Sequence, residues 1–223
     1  MTFTGTEYLS DTTSSSNLFI GTGDWTITAR VLRAAAASGS TTILDTQSGF
    51  LNGLLLLGQA SGACTLYIMD ASTSQAFSFG AGTLPADDTE YNLVIRSTSN
   101  TVQLYRDGVK QGSDKTQTLT PTVQTASAHN VGRRGDTAAI YWKGEINEIR
   151  LYNGYAFTDA DIATHCNSYG SDNIVNGLRL RLVFNEGATG TTATIDSKDL
   201  STYGLDFTPA SSPVYNAYTR RIK

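Results

Sequence analysis

The segment IYWKGEINEIRLYNGYAFTDADI, residues 140–162, joins a strand-forming sequence to a helix-forming one. Side chains alternate between the two faces of a strand, so Ile149 and Leu151 are expected to share one face. The opposite face is expected to carry the polar and aromatic members of the strand, Glu148, Arg150 and Tyr152. Ile146 breaks this alternation, which indicates either a β-bulge or a strand that is buried on both faces.

A turn and a short helix are predicted directly after this strand. Asn153 and Gly154 are turn-forming residues, and Thr158 with Asp161 three residues later is typical of a capping box. The sequence therefore predicts one short helix over residues 158–166.

Short alternating segments separated by glycine, serine and threonine recur along the rest of the chain. Residues 24–32 alternate most regularly, with Trp25, Ile27 and Val31 on the apolar face. The other predicted strands are residues 8–10, 42–45, 54–57, 64–69, 76–79, 91–96, 102–105, 178–183 and 205–207. Residues 8–10 are interpreted as an edge strand. Strands of this length and spacing indicate an all-β sandwich.

Length and composition limit the possible organisation of the chain. A chain of 223 residues is within the range of about 200–250 residues that all-β sandwiches reach as one unit. We expect one domain over residues 1–210 and a C-terminal tail over residues 211–223. The net charge of −4 argues against a general attraction to nucleic acid. No secretory signal or membrane insertion is expected, because no suitable apolar run is present.

The two cysteines, Cys64 and Cys166, are expected to be free thiols. They form no CxxC pair, and Cys64 shares its strand face with Leu66 and Ile68, as a small buried hydrophobic residue does. Synthesis in a reducing compartment also favours thiols over a disulfide.

Several segments together resemble the laminin G-like branch of the concanavalin A-like lectin/glucanase superfamily. They are GDWTITARV at 23–31, EYNLVIRSTSNTVQLYRDG at 90–108, NVGRR at 130–134, GEINEIRLYN at 144–153 with the TDADI helix start, and LRLRLVFNEGATGTTATIDS at 178–197. The last segment precedes the others in many relatives and follows them here. The resemblance implies a two-sheet antiparallel jelly-roll sandwich of concanavalin A type with one short helix near residues 158–166.

The same resemblance implies a possible hydrolase function, because the superfamily includes glycoside hydrolases. The residues that such hydrolysis requires are missing here. Laminarinase-like members carry glutamate, aspartate and glutamate at alternate positions of one strand, and here those positions hold Glu145, Asn147 and Ile149. Glu148 is expected on the opposite face of the strand from Glu145. With His129 and His165 as the only histidines, neither a Ser/His/Asp arrangement nor a zinc site is expected. The chain is therefore expected not to be an enzyme.

Calcium is the one cofactor that the resemblance suggests, because many laminin G-like domains hold it in a rim loop through oxygen ligands. The candidate ligands are Asp24, Asp196 and Asp199. Asp196 could instead cap its own turn.

A sugar-binding site would combine exposed aromatic rings with nearby amides or carboxylates. The candidates are Tyr141, Trp142, Asn147, Glu148, Tyr152, Asn153 and Tyr155. The alternative is that Trp142 fills the core and the tyrosines cover the edges of a sheet.

Two small basic groups stand out in this acidic chain. They are Arg133 and Arg134, and Arg220, Arg221 and Lys223. Each could be a solvated patch or could dock onto an acidic neighbouring protein.

Three classes of function follow from these observations. The leading expectation is a non-catalytic structural or adhesive surface module of a larger assembly, namely a bacteriophage virion protein such as a capsid decoration or tail-associated subunit. Such a protein would be made in the host cytoplasm, act at the virion surface and be present as a homo-oligomer or in many copies. The alternatives are a carbohydrate-binding module, which could be extracellular without an N-terminal signal, and a degenerate or unrecognised glycoside hydrolase.

Overall fold

The computed structural model describes residues 1–11, 18, 20–47, 53–70, 73–119, 129–135, 140–184, 199–201, 207–210 and 213–214. The strands in chain order are β1 Thr2–Phe3, β2 Tyr8–Asp11, β3 Trp25–Arg33, β4 Thr41–Asp45, β5 Gly53–Gly58, β6 Cys64–Asp70, β7 Thr73–Ser78, β8 Glu90–Thr98, β9 Thr101–Arg106, β10 Val109–Thr116, β11 His129–Val131, β12 Gly144–Asn153, β13 Leu178–Val183 and β14 Thr208–Ala210. A helix, α1, spans Asp159–Ser168.

The strands form two antiparallel sheets. Sheet A has the order β1-β12-β3-β8-β9-β10, and β13 also pairs with β12. Sheet B has the order β14-β2-β11-β4-β5-β6-β7. The two inner faces enclose one large hydrophobic core. This confirms the predicted two-sheet antiparallel sandwich with a short helix.

Alternation along the strands determines which side chains enter the core. In β3, the residues Trp25, Ile27 and Val31 are at most 1% exposed and face the opposite sheet. In β5, Leu54 and Leu56 enter the same core. The alternation predicted for residues 24–32 is therefore confirmed.

A β-bulge in β12 explains the break in its sequence pattern. Ile146 pairs with Val31 and Glu148 pairs with Arg30, so Asn147 is an extra residue on the β12 side. The bulge brings Ile146 to the same core face as the apolar residues after it. It also places Glu145 and Glu148 on the same outer face, because their partners in β3 are two positions apart. The expectation that Glu148 lies opposite Glu145 is wrong for this reason.

The predicted capping box starts helix α1. The Thr158 hydroxyl accepts a hydrogen bond from the backbone N–H of Asp161 at 3.1 Å, and the Asp161 carboxylate accepts one from the Thr158 backbone N–H at 2.8 Å. The helix ends at Tyr169, whose φ of 50° is left-handed. The helix is two residues longer at its C-terminal end than predicted.

Other details differ from the sequence-based expectations or extend them. Strand β2 is not an edge strand, because it pairs with both β11 and β14. Within the predicted tail, Val214 exchanges two backbone hydrogen bonds with Thr2. Cys64 and Cys166 are free thiols, as predicted. In the part of the chain that the structure describes, no helix is long and apolar enough to span a bilayer.

Candidate functional site

The outer face of sheet A is covered by α1 and the segments that flank it. A second hydrophobic cluster lies between this helix and the sheet, formed by Val94, Tyr105, Tyr152, Phe157 and Ile162. The hydroxyl of Thr26 on β3 accepts from the backbone N–H of Phe157 at 2.9 Å and so fixes the chain that leads into the helix. Helix packing therefore covers much of this face. A cleft of about 420 Å³ remains at the C-terminal end of α1, and its lining residues are Thr89, Glu90, Asn92, Asp107, Cys166, Asn167 and Tyr169.

Beside this cluster, a buried network of charged groups occupies the rest of the same face. The guanidinium of Arg150 donates to the carboxylates of Glu148 at 2.8 Å and Asp172 at 2.7 Å. Its third donor reaches the backbone oxygen of Gly170 at 2.9 Å. His165 on α1 lies 3.0 Å from the other oxygen of Asp172. The network thus ties α1 and the segment after it to β12.

Ionisation of this network follows from its contacts. Burial alone would raise the pKa of Asp172, but hydrogen bonds from His165 and Arg150, together with the charge of Arg150, hold that pKa well below its ordinary value. Burial opposes the charge of Arg150, yet the nearby Glu148 carboxylate keeps the pKa of Arg150 above its ordinary value. Burial also raises the pKa of Tyr152 to about 12. At neutral pH Asp172 is therefore ionised, Arg150 is charged and Tyr152 is neutral, and these charge states allow the hydrogen bonds of the network.

This arrangement leaves no catalytic pair of acids on β12. Ile149, at the third laminarinase-like position, is fully buried in the core. Glu148 is 2% exposed, and a second guanidinium, that of Arg181, also donates to it at 3.3 Å. A carboxylate held by two guanidiniums below the surface cannot reach a glycosidic oxygen.

The outer face of sheet B carries a cleft of about 440 Å³. Its lining comes from β5, β6 and β7, the loop before β4, the turn between β5 and β6, and the residues just before β12. These lining residues are Ser40, Leu55, Leu57, Gln59, Tyr67, Met69, Ser74, Arg134 and Ile140. We refer to this set as the sheet B cleft.

An apolar floor distinguishes the cleft. Leu55, Leu57 and Met69 form a hydrophobic cluster separate from the main core, with Tyr67 packed against it. They project outward because their neighbours in β5 and β6 project inward. Tyr67 is only half-buried, so part of its ring is accessible from the cleft. Because Leu55, Leu57 and Met69 are only 2–3% exposed, the accessible part of the Tyr67 ring is the surface that a sugar ring would contact above this floor.

Polar groups surround this floor. The hydroxyl of Ser40 donates to the side-chain oxygen of Gln59 at 2.9 Å, which fixes one corner of the rim. Ser74 on β7 is exposed at another corner of the rim. Arg134 donates its backbone N–H to the carbonyl of Ile140 at 3.0 Å, which holds both residues at the cleft wall. The Ser40–Gln59 pair and the Ser74 hydroxyl therefore place amide and hydroxyl groups at the rim, where sugar hydroxyls could bind.

A buried carboxylate positions the segment that carries Arg134. Asp45, at the end of β4, accepts a hydrogen bond from the backbone N–H of Gly135 at 2.6 Å. Its other oxygen accepts the backbone N–H of Gln47 at 2.9 Å. This pair of contacts directs the chain after β11 across the outer face of sheet B.

Besides the buried Glu148, three of the seven predicted ligand residues are removed from solvent. Trp142 is fully buried in the core, and its indole N–H donates to the backbone oxygen of Glu145 at 3.2 Å. Tyr152 is fully buried beneath α1, with its hydroxyl on the carbonyl of Ile174 at 3.1 Å. Asn147 donates to the carboxylate of Glu90 at 2.5 Å. None of the three can stack on or bind a sugar in this fold.

The other three predicted ligand residues are half-buried and are not brought together. Asn153 donates its backbone N–H to Gly177 beside β13. Tyr155 donates its hydroxyl to Asp161 at 2.7 Å, and this hydrogen bond raises the pKa of Tyr155. Tyr141 lies before β12, where it forms a β-bridge with Arg133.

The two candidate calcium ligands that the structure describes, Asp24 and Asp199, accept hydrogen bonds from different backbone segments. Asp24 accepts the backbone N–H of Ser99 at 3.0 Å. Asp199 accepts the backbone N–H groups of Arg181 and Ser201, both at 2.9 Å. Asp196 lies outside the described residues. Among the residues that the structure does describe, no three His, Cys, Asp or Glu side chains form a group that could hold a metal ion.

The basic residues of the first group point to different places. Arg134 lines the sheet B cleft, whereas Arg133 stacks against tyrosine rings. Arg220, Arg221 and Lys223 lie outside the residues that the structure describes, so docking through them stays a prediction.

The sequence contains a signal for the cleft outside residues 140–162. Residues 53–58 read GLLLLG. In a strand, four consecutive leucines must place two on each face, so an apolar patch outside the core is expected if one face is the core. Tyr67 and Met69, which alternate with core residues in β6, extend this patch.

Comparisons with known proteins agree with this architecture. Residues 4–163 match a laminin G-type family described as the concanavalin A-like lectin/glucanases superfamily. No curated protein matches the chain in sequence.

Several solved structures share the fold at low sequence identity. A proposed carbohydrate binding protein from Bacteroides ovatus has a TM-score of 0.65 and 16% identity over 97% of this chain, which corresponds to 60% of that protein. The CBM40 of the Ruminococcus gnavus IT-sialidase, bound to α2,3 sialyllactose, has a TM-score of 0.56 and 11% identity, over 74% of this chain and 94% of that one. A heptameric SAP-like pentraxin from Limulus polyphemus has a TM-score of 0.54 and 12% identity, over 76% and 82%. At these identities the likeness shows the fold alone, and none of it supports the expected virion role.

Proposed function

Because the chain belongs to the concanavalin A-like lectin/glucanases superfamily, we propose that it is a non-catalytic carbohydrate-binding module whose site is the sheet B cleft. The observation that carries the proposal is the cleft of about 440 Å³ with its apolar floor, accessible Tyr67 ring and polar rim. Pockets of this size and lining suit small ligands. The neighbouring folds that are named for carbohydrate binding support the same function.

Binding in this proposal places the apolar face of a sugar ring on the accessible part of the Tyr67 ring, above the buried floor of Leu55 and Leu57. The sugar hydroxyls exchange their hydrogen bonds with water for bonds to Gln59, Ser74 and their neighbours on the rim. No bond is broken, because the acids that glycoside hydrolysis requires are absent from the strand that would carry them.

A glycan array followed by titration calorimetry on the best glycan tests the proposal. Tyr67→Ala removes the stacking ring, and Ser74→Trp fills the cleft from an exposed position without altering the core. Each variant is expected to bind at least about tenfold more weakly, as loss of an aromatic anchor usually does. Circular dichroism establishes that both variants are folded.

Tyr155→Ala is the matched control. This tyrosine is also half-buried, lies against the opposite sheet and was a candidate from the sequence. Its removal is expected to leave glycan affinity unchanged. Loss of affinity in Tyr155→Ala, with Tyr67→Ala and Ser74→Trp unaffected, would move the site to sheet A. Absence of binding to every glycan would refute the proposed function.

A further inference from the structure

A second feature of sheet B lies beside the cleft. The guanidinium of Arg133 is 4.5 Å from the ring centroid of Tyr8 and 5.9 Å from that of Tyr141. The two rings are 6.4 Å apart with an interplanar angle of 52°. We call these three residues the Tyr-Arg-Tyr cluster. All three side chains are half-buried, so the cluster is reachable from solvent.

Within the part of the chain that the structure describes, the guanidinium of Arg133 has no polar partner, in contrast to those of several other arginines. Arg96, Arg106 and Arg150 each donate to a backbone or carboxylate oxygen. Within the described residues, the Arg133 guanidinium makes no hydrogen bond or ion pair, and its Nε is buried without a partner. The two tyrosine rings therefore hold a permanently charged guanidinium whose N–H donors have no partner among the described residues.

The chemistry of this arrangement favours an oxyanion. A guanidinium is planar, always charged and matched to the two oxygens of a carboxylate or to those of a sulfate. Aromatic faces orient it through cation–π contacts and shield it from water, which strengthens a charge-assisted hydrogen bond. A free lysine on a flexible stem would lack this fixed orientation.

The cluster is connected to the sheet B cleft by chain neighbours. Arg133 forms a β-bridge with Tyr141, and the adjacent pair, Arg134 and Ile140, lines the cleft. Successive residues of an extended ladder point to opposite sides, so the cleft and the cluster lie on the two sides of one short ladder. A ligand that contacts both must extend past that ladder.

We propose that the Tyr-Arg-Tyr cluster is a subsite for an acidic sugar unit, so that the saccharide bound on sheet B is an oligosaccharide carrying a carboxylate or sulfate. This inference rests on the proposed function. The Arg133 fork pairs with the oxyanion, and the ring faces of Tyr8 and Tyr141 contact the apolar side of the same sugar. In this proposal the partner of Arg133 is a glycan, and not the acidic protein that the sequence analysis considered.

Titration calorimetry with matched glycans tests the subsite. The probes are an oligogalacturonate, its carboxyl-reduced neutral counterpart, and a sulfated oligosaccharide with its desulfated form. The wild-type chain is expected to bind an acidic form at least about tenfold more tightly than its neutral counterpart. Which pair shows the preference distinguishes carboxylate from sulfate.

Arg133→Gln is expected to remove the preference while leaving affinity for the neutral form unchanged. The matched control is Arg106→Gln, because Arg106 also stacks on a tyrosine, Tyr91, at 4.8 Å but lies on sheet A and already donates to a carbonyl. This control loses the same charge and should keep the full preference. Arg133→Lys, which keeps the charge without the fork, should give an intermediate preference.

The remaining outcomes distinguish failure of the acidic subsite from failure of the proposed carbohydrate binding. Equal affinity for acidic and neutral forms in the wild type refutes the acidic subsite and leaves carbohydrate binding intact. An equal loss of preference in Arg106→Gln shows a general charge effect and also refutes the subsite. Arg133→Gln that abolishes binding to an acidic protein, with glycan binding unchanged, assigns the cluster to protein docking. Failure of all saccharides to bind refutes the proposed function itself.

Discussion

Arg150 carries a permanent charge on a side chain with no exposed surface, and two carboxylates make that position tolerable. Taking a guanidinium out of water is expensive unless its charge and all its donors are satisfied. Glu148, Asp172 and the carbonyl of Gly170 together achieve this. The network therefore depends on each partner, because removal of one leaves an uncompensated charge inside the protein.

Asp172→Asn is expected to lower the free energy of unfolding by about 3–5 kcal/mol at neutral pH, since Arg150 loses half of its charge compensation. The folded-state pKa of Asp172 lies below its ordinary value of 3.8, so the unfolded chain binds the proton more readily. Its contribution is therefore present above about pH 4 and is lost as the pH falls below that. Urea unfolding at several pH values should show wild type and variant converging in acid.

The control for this measurement is Asp159→Asn. Asp159 pairs with Arg96 at 2.8 Å, but its side chain is 84% exposed, so the loss should stay below about 1 kcal/mol. Wild-type and Asp172→Asn curves that remain parallel down to low pH would contradict the proposed role of the buried carboxylate.

At the scale of one element, strand β12 determines how both faces of sheet A are used. Its bulge at Asn147 lets Ile146 enter the core while Glu148 and Arg150 remain on the outer face. The capping box at Thr158 then starts α1, which covers those outer side chains. A short helix with little hydrophobic periodicity is thus held mainly by its cap and by what it buries.

Deletion of Asn147 is expected to remove the bulge and leave a cooperatively folded chain. Ile146 and Glu148 pair with Val31 and Arg30, which are neighbours in β3, so the shortened strand keeps Ile146 in the core and Glu148 on the outer face. The deletion loses the hydrogen bond to Glu90, as Asn147→Ala does, so each variant should lose about 1–3 kcal/mol of the free energy of unfolding. Near-UV circular dichroism and urea unfolding compare the two variants. Loss of the cooperative transition in the deletion variant alone would show that the fold requires the bulge.

For the whole molecule, the outer faces of the two sheets are used differently. Sheet A is largely covered by α1 and the buried charge network, and a cleft of about 420 Å³ remains at the C-terminal end of α1. Sheet B carries the cleft at which we propose that a glycan binds. Both sheets share one core, to which Trp25 and Trp142 contribute fully buried rings. The proposed glycan site therefore lies apart from the charge network that stabilises sheet A.

This shared core predicts a single cooperative unfolding transition. Tryptophan fluorescence reports the core, and far-UV circular dichroism reports the strands of both sheets, so their urea or thermal curves should coincide. Two separated transitions, or a calorimetric enthalpy larger than the van't Hoff enthalpy, would contradict the expectation of one domain over residues 1–210.

Strand alternation made much of the fold predictable. Residues 24–32 and the Thr158–Asp161 pair indicated the correct local structure because they act over a few neighbouring residues. The break at Ile146 indicated either a bulge or burial on both faces, and the pattern did not locate the extra residue, so Glu145 and Glu148 were wrongly placed on opposite faces.

The binding site was less predictable, because exposure depends on contacts between distant segments. Trp142, Tyr152 and Tyr155 look equivalent as aromatic residues near β12, yet the opposite sheet buries the first, α1 buries the second, and the third remains half-exposed. Sequence alone determined the sandwich, the cap and the lack of paired catalytic acids, since these depend on residue type and local spacing. Only the tertiary structure decided which sheet has its outer face largely covered, because that depends on where α1 packs in the folded chain.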